Sequence, residues 1–598
     1  MTAYAAPLPD MRFVLEHVAG LDAVASLPGY GSSRMETVGP LLESGARFYE
    51  RVWAPTNRPA DLAGSTLRDG HVVVLDALHD AYRQTVAGGW TVLPREPQPG
   101  EDGVPWLLHA AIIEMAASSN ASFSMLTGLI SGAIELLQAY ASDDLKALYV
   151  PKLFSGEWAG AMDLSEPGAG SNLGALVTRA VAQPDGTYRL HGVKRFISWG
   201  EHDLAKNIVH LVLARTPGAP AGTAGISCFL VSKFLVGSGG SLGERNDIRC
   251  VSVEQNLGFR ASPTCVMALG DEGGAVAHLI GAEHGGMRIM FTLMNSNRLA
   301  TAIGALGISV RAYQAARAYA RERVQGVPHD RPEGTPIVEH ADVRRMLMTM
   351  RSLVEAMRSL CYLTAAALDH GAHAPDPAVR AEWRQLANLL TPIAKAWCSD
   401  MGIEVTSLAI QIFGGAGWVE ESGVAQLYRD VRVLSIFEGT NGIQAQDLVG
   451  RKIGQADGRL VDGLLARMRA LAAELDAAGG SCAVIARGLV RGVDALREGT
   501  DWMRAQGAGL PLPAASGATA YQRLFGGVLG AYLLGTGALA AHRARAAGDT
   551  RAFTPAFLDA KIATARFYVE HVLPLAVAAL APATAGADAI YGIAAEEL

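Results

Sequence analysis

Residues 427–444 read LYRDVRVLSIFEGTNGIQ and form the most informative stretch of this 598-residue chain. A single carboxylate, Glu438, lies directly behind an apolar run and directly before Gly-Thr-Asn-Gly, where a helix would end and the chain would turn sharply. A carboxylate held away from water has a raised pKa and is a stronger base, which suits removal of a weakly acidic C–H proton. The same local pattern fits an ordinary surface glutamate at a helix end, so other parts of the chain must decide between these two interpretations.

The composition predicts a large protein with several buried cores. A chain of 598 residues is expected to form about three to five domains, since single cores stop growing beyond roughly 250–300 residues. Half of the residues are hydrophobic and 18% are charged, which favours large interiors and an oligomer. The net charge of -7 argues against nucleic acid or an anionic membrane as the main partner, because either would require clustered Lys and Arg.

Metal sites, export signals and membrane spans have little support in the sequence. The six cysteines form no CxxC pair and no Cys/His cluster with metal-binding spacing, so no metal is predicted. The N-terminus lacks a basic start followed by an apolar core, which makes the cytoplasm the expected compartment. The uncharged run Leu524–Ala541 is rich in glycine and barely long enough to cross a bilayer, and we interpret it as a buried helix.

The pattern of hydrophobic residues divides the chain into five regions. An N-terminal extension (1–38) precedes an α-helical domain (39–158) and a β-domain (159–285), where short alternating runs are separated by Gly, Pro, Asp and Asn. A helical bundle (286–453) and an Ala-rich C-terminal helical domain (454–598) follow. The predicted fold is mainly α with a central, small antiparallel β-barrel.

Individual elements can also be predicted. Among the helices, Asp69–Gly88 and Trp106–Tyr140 have the clearest apolar patterns in the N-terminal domain. In the β-domain the predicted strands are Thr187–Leu190 continuing through Lys194–Ser198, Ile208–Ala214, Gly225–Val236, Cys250–Glu254 and Thr264–Leu269.

Two glycine-rich stretches are candidates for ligand binding. Residues 164–172 (LSEPGAGSN) and 411–417 (QIFGGAG) contain small residues that let a flat or phosphorylated ligand approach the backbone closely. Neither fits the P-loop or the dinucleotide fingerprint, and each stretch taken alone is interpreted as a loop or as a helix end followed by a turn. Glu166 is expected to brace its loop through hydrogen bonds to the backbone.

The motifs taken together, in this order, resemble the acyl-CoA dehydrogenase family of flavoenzymes. The matching stretches are residues 165–171 (SEPGAGS), 196–198 (FIS), 411–415 (QIFGG) and 437–440 (FEGT). The resemblance covers roughly Gly39 to Ile453 and implies the same order of helical domain, β-domain and helical bundle. The N-terminal extension and the long C-terminal addition resemble the larger members, most closely the methylthiopropionyl-CoA dehydrogenase subgroup.

The resemblance implies a cofactor, a reaction and residue roles. FAD is the implied cofactor, and Glu438 is implied to take the α-proton while a hydride passes from the β-carbon to flavin N5, giving a trans-2-enoyl-CoA. The residues implied to bind FAD are Met162, Leu164, Ser165, Phe196, Ile197, Ser198, Arg323, Gln325, Gln411, Gly414, Gly415, Gly439, Thr440 and Asn441. Those implied to bind the CoA portion are Ser171, Asn295 and Arg298.

The alternative position for the base is empty in this chain. Some relatives carry the base on another helix, at the position matching Asn297, but residues 285–307 contain neither Asp nor Glu. Glu438 is therefore the one candidate that the resemblance supports. The implied substrate is a fatty acyl-CoA or 3-methylthiopropionyl-CoA, the implied electron acceptor is an electron-transfer flavoprotein, and the expected assembly is a homodimer. An acyl-CoA oxidase that passes electrons to oxygen and a non-catalytic acyl-CoA or flavin-binding scaffold are the alternatives.

Overall fold

The computed structural model describes residues 3–93, 96–97, 101–548 and 552–598, without the side chains of residues 291–294. It divides into two compact units. The first, here called the β unit, comprises Tyr49–Leu93 and Ser119–Asn297. The second, the helical unit, comprises Met1–Phe48, Pro94–Ser118 and Arg298–Leu598. The predicted fold class, mainly α with a central β region, is confirmed.

The β unit contains twelve strands among the described residues. They are β1 (Thr66–Arg68), β2 (His71–Val73), β3 (Trp158–Asp163), β4 (Arg179–Ala182), β5 (Tyr188–Ser198), β6 (Asn207–Arg215), β7 (Ile226–Ser232), β8 (Phe234–Val236), β9 (Leu242–Arg245), β10 (Ile248–Val253), β11 (Thr264–Leu269) and β12 (Ala275–Ile280). Every predicted strand is present, although the run predicted over Gly225–Val236 is interrupted at Lys233.

Most of these strands form one sheet that closes on itself. Its order is β10-β11-β5-β12-β7-β6-β3, and β4 pairs with both β5 and β6, so that β4, β5, β12, β7 and β6 form a small barrel. The sheet was predicted to be antiparallel, but it contains parallel pairing as well. β3 runs parallel to β6, with Trp158 opposite Asn207 and Asp163 opposite Val212. The residues of β7 are all buried, as expected for a strand covered on both faces.

The prediction of one helix over Asp69–Gly88 is wrong in its first third. β1 and β2 form a hairpin there, and the helix covers only Asp76–Ala87. The two turn residues, Asp69 and Gly70, have φ values of 50° and 78°. An Asp-Gly pair with positive φ at both positions suits the tight turn that joins two right-twisted antiparallel strands, so local turn chemistry overrides the helical spacing of the apolar residues.

The long helix Trp106–Tyr140 has the predicted bounds but is not straight. Asn120 has φ -153° and ψ 94°, which interrupts the helix. Its side chain satisfies the freed groups within the β unit: Nδ2 donates to Thr56 Oγ1 at 2.9 Å, and the Phe123 N–H donates to Oδ1 at 3.0 Å. An inserted side chain is a known cause of helix kinks.

The remaining helices belong mostly to the helical unit. The α-helices described beyond β12 are Gly286–Glu322, Ala341–His373, Pro377–Phe413, Gly415–Trp418, Val424–Val431, Asn441–Asp447, Arg459–Ala478, Gly480–Ala505, Leu512–Ala546, Pro555–Phe567, Leu573–Val577 and Leu580–Thr584. The N-terminal ones are Leu8–His17, Leu21–Ala25 and Met35–Phe48, and those lying in the β unit are Ala54–Ala63, Asp76–Ala87 and Asp143–Phe154.

In the part of the chain that the structure describes, three helices are long and apolar enough to cross a membrane by length and composition alone. They are Trp106–Tyr140, Leu512–Ala546 and Pro555–Thr584. The most apolar window of Leu512–Ala546 is 83% buried within the protein. This helix packs against Ala341–His373 and Pro377–Phe413, which agrees with its interpretation as a buried helix.

Candidate active site

Glu438 lies in a short turn between two helical segments of the helical unit. The segment Arg432–Ser435 ends before it, and the helix Asn441–Asp447 begins after it. Both Glu438 and Gly439 have left-handed backbones, with φ values of 56° and 78°. Glycine adopts this conformation freely, whereas a residue with a Cβ atom is strained there by about 1–3 kcal/mol. Strain of this kind persists only where surrounding contacts hold it, and such residues cluster at functional sites.

Two side chains hold the turn through its carbonyl groups. Gln444 Nε2 donates to the carbonyls of Glu438 and Gly439, at 3.0 and 3.1 Å. Lys395 Nζ donates to the Gly439 carbonyl at 2.8 Å and to Asn441 Oδ1 at 2.9 Å. Gln444 and Lys395 are fully buried. A hydrogen bond from a charged donor contributes about 1.5–3 kcal/mol, which is enough to offset the strain of the turn.

The helix that follows the turn is capped by one of the residues predicted to bind FAD. Thr440 is the N-cap residue, and its hydroxyl accepts the Ile443 N–H at 3.3 Å. Asn441 is buried, and its Nδ2 donates to Asp400 Oδ1 at 2.7 Å. These contacts give both residues a structural task, and their contacts with FAD stay a prediction.

The electrostatic environment of Glu438 shifts its pKa upward from that of an ordinary glutamate. Burial raises the pKa of Glu438, and the nearby charges of Arg298 and Lys395 only partly oppose this effect. Arg298 is 5% exposed, and its Nη1 lies 3.6 Å from Asp447 Oδ2. Burial lowers the pKa of Arg298, and Asp447 counteracts this. Glu438 is therefore a partly desolvated carboxylate with two buried cations nearby, which is a suitable state for a general base. The predicted contact of Arg298 with CoA stays a prediction.

In the β unit, the two predicted flavin motifs are adjacent. The Arg195 N–H donates to the Ser165 carbonyl at 2.9 Å, which joins the loop at Leu164 to the end of β5. Phe196 has a φ of 63° and is 59% exposed, an uncommon state for a large aromatic residue in a strand. Ile197 beside it is buried.

Trp199 holds the end of β5 in place. It has a φ of 53° and is fully buried, and its indole N–H donates to the Ser122 carbonyl at 3.2 Å. Ser122 lies just after the kink at Asn120. The exposed ring of Phe196 is therefore next to a strand end that the buried Trp199 anchors.

The loop of residues 164–172 is braced by Glu166, as predicted. The carboxylate accepts the N–H groups of Val177 and Thr178 at 2.6 and 3.1 Å, and Lys194 Nζ at 2.8 Å. Both carboxylate oxygens of Glu166 thus accept hydrogen bonds that support the loop. Ser171, further along, is exposed.

The other predicted FAD residues lie together in the helical unit. The Tyr319 ring stacks on Phe413 at 4.2 Å, which brings the end of helix Gly286–Glu322 next to the end of helix Pro377–Phe413. Arg323 and Gln325 follow the first helix, and Arg323 Nη2 donates to Gln325 Oε1 at 3.3 Å. Gln411, Gly414 and Gly415 are exposed at the end of the second helix. This region of the helical unit is accessible to a ligand.

The described residues contain no group of three or more His, Cys, Asp or Glu that could hold a metal ion. Within the helical unit the chemistry rests on Glu438, a carboxylate with a raised pKa. The β unit, taken by itself, presents an exposed aromatic residue at the end of β5.

Comparison with known proteins identifies the family. The model of the acyl-CoA dehydrogenase C-terminal domain matches residues 284–453, that of the middle domain matches 161–271, and that of the acetyl-CoA dehydrogenase C-terminal-like domain matches 464–594. The chain is 41% identical over 572 residues to 3-methylmercaptopropionyl-CoA dehydrogenase of Ruegeria pomeroyi, covering 95% of this chain and 96% of the relative. It is 34% identical over 586 residues to a butyryl-CoA dehydrogenase of Syntrophomonas wolfei, covering 96% and 95%.

The fold agrees with a solved structure as well. ACDH-11 of Caenorhabditis elegans, solved in complex with C11-CoA, superimposes with a TM-score of 0.75 at 21% identity, covering 96% of this chain and 93% of that one. The chain belongs to the acyl-CoA dehydrogenase family. It is therefore an oxidoreductase acting on an acyl-CoA with FAD as its cofactor, as the motifs predicted.

The residues of the β unit fit this cofactor. Met162, Leu164 and Ser165 are half-buried at the end of β3, beside the exposed ring of Phe196. Together they offer a partly exposed and mostly apolar surface with a few polar atoms, which suits an isoalloxazine ring. The guanidinium of Arg195 lies 4.8 Å from the centre of the Phe196 ring.

Sequence reasoning missed two residues of the site. Gln444 lies within the opening stretch but was assigned no role, and Lys395 lies 43 positions before Glu438. Lys395 did carry a signal, because it is the one charged residue in the run 385–399, which is otherwise apolar or uncharged. A fully buried lysine is rare unless its charge is paired.

Proposed function

We propose that this enzyme dehydrogenates an acyl-CoA thioester to a trans-2-enoyl-CoA, with Glu438 removing the proton from the α-carbon. The observation that carries the proposal is the state of Glu438: a carboxylate with a raised pKa, in a strained turn that buried side chains hold in place. A base with a pKa near the working pH removes a proton most efficiently, and burial is the usual means of raising a glutamate into that range.

The tasks of the chain's own residues follow from their positions. FAD, when bound, accepts the hydride that leaves the β-carbon. The surface formed by Met162, Leu164, Ser165 and Phe196 would hold the flavin ring. The exposed residues Gln411, Gly414 and Gly415 of a neighbouring subunit would hold the distal half of FAD. Glu438 takes the α-proton and holds it, and the partial burial of the turn limits exchange of that proton with water.

The acyl group that we propose is short. The relative with 41% identity is a 3-methylmercaptopropionyl-CoA dehydrogenase and the one with 34% identity is a butyryl-CoA dehydrogenase. We favour 3-methylthiopropionyl-CoA, with fatty acyl-CoA as the second candidate. Pentanoyl-CoA is the matched comparison, since it replaces the sulfur by a methylene and leaves the chain length unchanged.

The substrate is tested by flavin bleaching without oxygen. A set of butyryl-, pentanoyl-, 3-methylthiopropionyl-, octanoyl- and palmitoyl-CoA should give the highest kcat/KM with the thioether. A pocket that recognises sulfur should prefer it to pentanoyl-CoA. The highest value with octanoyl- or palmitoyl-CoA would overturn the short-chain proposal.

The base is tested with Glu438→Gln, which keeps the shape of the side chain and removes its basicity. The variant should retain bound yellow flavin but lose bleaching by substrate, with a fall of roughly 10²–10⁴-fold expected for loss of a general base. Normal bleaching in this variant would refute the proposed role. Loss of flavin from the variant would instead assign Glu438 a role in cofactor binding.

We also propose an electron-transfer flavoprotein as the electron acceptor, a homodimer as the assembly and the cytoplasm as the compartment. The acceptor proposal rests on family membership. After anaerobic reduction by substrate, exposure to air should reoxidise the flavin slowly, and fast formation of peroxide would identify an oxidase instead. Light scattering tests the dimer, and a tetramer would contradict it.

A further inference from the structure

Lys395 lies in the middle of helix Pro377–Phe413 and is fully buried. Its Nζ donates to the Gly439 carbonyl at 2.8 Å and to Asn441 Oδ1 at 2.9 Å. Lys395 therefore contacts the backbone of the residue after Glu438 and the side chain of the residue three positions after it. Burying a charged lysine is unfavourable unless its ammonium group is paired or hydrogen-bonded. Here the charge faces the turn that carries the proposed base.

The partner of Lys395 is itself held firmly. Asn441 Nδ2 donates to Asp400 Oδ1 at 2.7 Å, and Ser399 Oγ donates to Asn441 Oδ1 at 3.2 Å. Lys395, Ser399 and Asp400 all belong to helix Pro377–Phe413, which therefore grips the turn at several points. The Gly439 carbonyl also accepts Gln444 Nε2 at 3.1 Å. The left-handed conformation of Glu438 is thus fixed by the helix behind it.

We propose that Lys395 is a positioning residue, which holds the Glu438 turn in its reactive conformation and keeps a positive charge beside the carboxylate. This inference rests on the proposed role of Glu438 as the base. Lys395 contacts neither reacting atoms nor substrate in the proposal, and it acts through the backbone at Gly439 and through its charge.

The charge makes a measurable prediction. The charged groups that act on Glu438 or face Lys395 are Arg298, Asp400 and Asp447, of which Asp447 pairs with Arg298. Lys395 opposes the rise in the pKa of Glu438. Removing its charge should therefore raise that pKa further, and the acid limb of the pH profile of kcat should move to higher pH. A lysine that only filled space would leave this limb in place.

Two substitutions separate the hydrogen bond from the charge. Lys395→Met removes both, and we expect a fall of roughly 10²-fold in the rate of flavin reduction at saturating substrate, the size of effect that misplacing a catalytic group produces. Lys395→Gln keeps an N–H donor but loses the charge. It should recover part of the rate while its acid limb stays shifted to higher pH, as in Lys395→Met.

The high-pH side gives a second readout. Burial lowers the pKa of Lys395 to about 8, although Glu438 and Asp400 oppose this. The wild-type enzyme should therefore lose rate as the pH rises through about 8. That limb should be absent in Lys395→Met, which has no ammonium group to titrate.

The matched control is Lys561→Met. Lys561 is also buried and also has carboxylate partners, Asp10 and Glu355, but it does not contact the Glu438 turn. The variant Lys561→Met should have a lower unfolding temperature than wild type, but the acid limb of its pH profile should not move. Flavin absorbance and circular dichroism, measured on every variant, establish that the variants are folded and loaded.

The outcomes distinguish this inference from the proposed function. If Glu438→Gln bleaches normally, the proposed base is wrong and the inference about Lys395 falls with it. If Glu438→Gln is inactive while both Lys395 variants keep wild-type kcat and an unshifted acid limb, only the role of Lys395 is refuted. A shifted limb in both Lys395 variants, with Lys561→Met unshifted, supports the inference. If Lys395→Met does not fold, Lys395→Gln alone decides through its acid limb.

Discussion

The ammonium nitrogen of Lys194 lies 2.8 Å from Oε1 of Glu166, and both side chains are buried in the β unit. Burial raises the pKa of Glu166, but the charge of Lys194 and the hydrogen bonds from Lys194, Thr178 and Val177 outweigh it and lower the pKa. Glu166 is therefore ionised at neutral pH and does not serve as a proton donor or acceptor. Its task is to hold the loop between β3 and β4 against Lys194 of β5.

We expect Glu166→Gln to destabilise the protein strongly. The substitution leaves Lys194 buried without its counter-ion, and breaking a buried pair in this way costs about 3–5 kcal/mol. The unfolding midpoint in urea, followed by circular dichroism, should fall, and less flavin should be retained. Asp271→Asn is the matched control, because Asp271 pairs with Arg249 on the surface and should contribute less than about 1 kcal/mol. Equal midpoints for the two variants would contradict the assigned role of Glu166.

The same pair predicts how the stability depends on pH. Because folding lowers the pKa of Glu166, its stabilising contribution is complete above the ordinary glutamate range and is lost as the pH falls through the lowered pKa. Between about pH 5 and pH 3, wild-type protein should therefore lose more stability than Glu166→Gln does. The difference between the urea midpoints of wild type and Glu166→Gln should therefore become smaller as the pH is lowered over that interval.

The sequence predicts the fold more fully than it predicts the site. The strands with alternating residues and the helix Trp106–Tyr140 are recognisable because their patterns are local. β3 was missed, since its sequence, WAGAMD, is rich in Ala and Gly and has little strand propensity. Its identity as a strand comes from pairing with β6, which lies more than 40 residues away in sequence.

The site shows the same division. Glu438 could be singled out because a helix end, a glycine and an apolar run are adjacent in the sequence. Its conformation and its environment could not be predicted, because they depend on Lys395 and Arg298, which come from other helices. Tertiary contacts between distant segments leave no periodic pattern, and a lone lysine in an apolar helix is the most that the sequence shows.

We expect Glu438→Gln to stabilise the folded protein at neutral pH. Folding raises the pKa of Glu438, so ionisation of this group opposes folding; the penalty is absent below the pKa of the unfolded chain and complete above the pKa of the folded protein. Glutamine avoids the penalty. The gain should be on the order of 1 kcal/mol, which is typical of single stabilising substitutions.

Thermal unfolding of both proteins at pH 8 and at pH 4 checks this prediction. The variant should unfold at a higher temperature at pH 8, and the difference should vanish at pH 4. A variant that is less stable than wild type at pH 8 would mean that the attraction of Arg298 and Lys395 for the carboxylate outweighs its burial.

Gly439→Ala should slow flavin reduction by disturbing the turn. Gly439 has a φ of 78°, and a Cβ atom there would lie 2.9 Å from Gln444 Nε2, which is too close. The left-handed conformation costs alanine about 1–2 kcal/mol, and Gln444 would have to give up its contact with the turn. We expect kcat to fall by about 10-fold or more.

Gly442→Ala is the control for this substitution. Gly442 lies three residues further on, in helix Asn441–Asp447, and its nearest atom to an added Cβ is Thr440 Oγ1 at 3.8 Å. Alanine is favoured over glycine in a helix, so stability should rise slightly and kcat should stay unchanged. Equal losses of kcat in the two variants would show that any added methyl group near Glu438 is harmful, and that the left-handed turn has no special importance.

Phe13→Ala should uncouple the N-terminal segment from the C-terminal helices of the helical unit. Phe13 is 1% exposed, and its ring makes edge contacts with Phe553 and Phe557 at 5.3 and 5.7 Å. Truncating a buried phenylalanine costs about 3–5 kcal/mol, so the unfolding temperature should fall by several degrees. Asp22→Ala, an exposed change in the same segment, should leave the unfolding temperature unchanged.

Because Phe13 makes no contact with the Glu438 turn, the rate of bleaching per bound flavin should stay at the wild-type value in Phe13→Ala below its unfolding temperature. A loss of that rate without unfolding would show instead that the N-terminal segment supports the site directly.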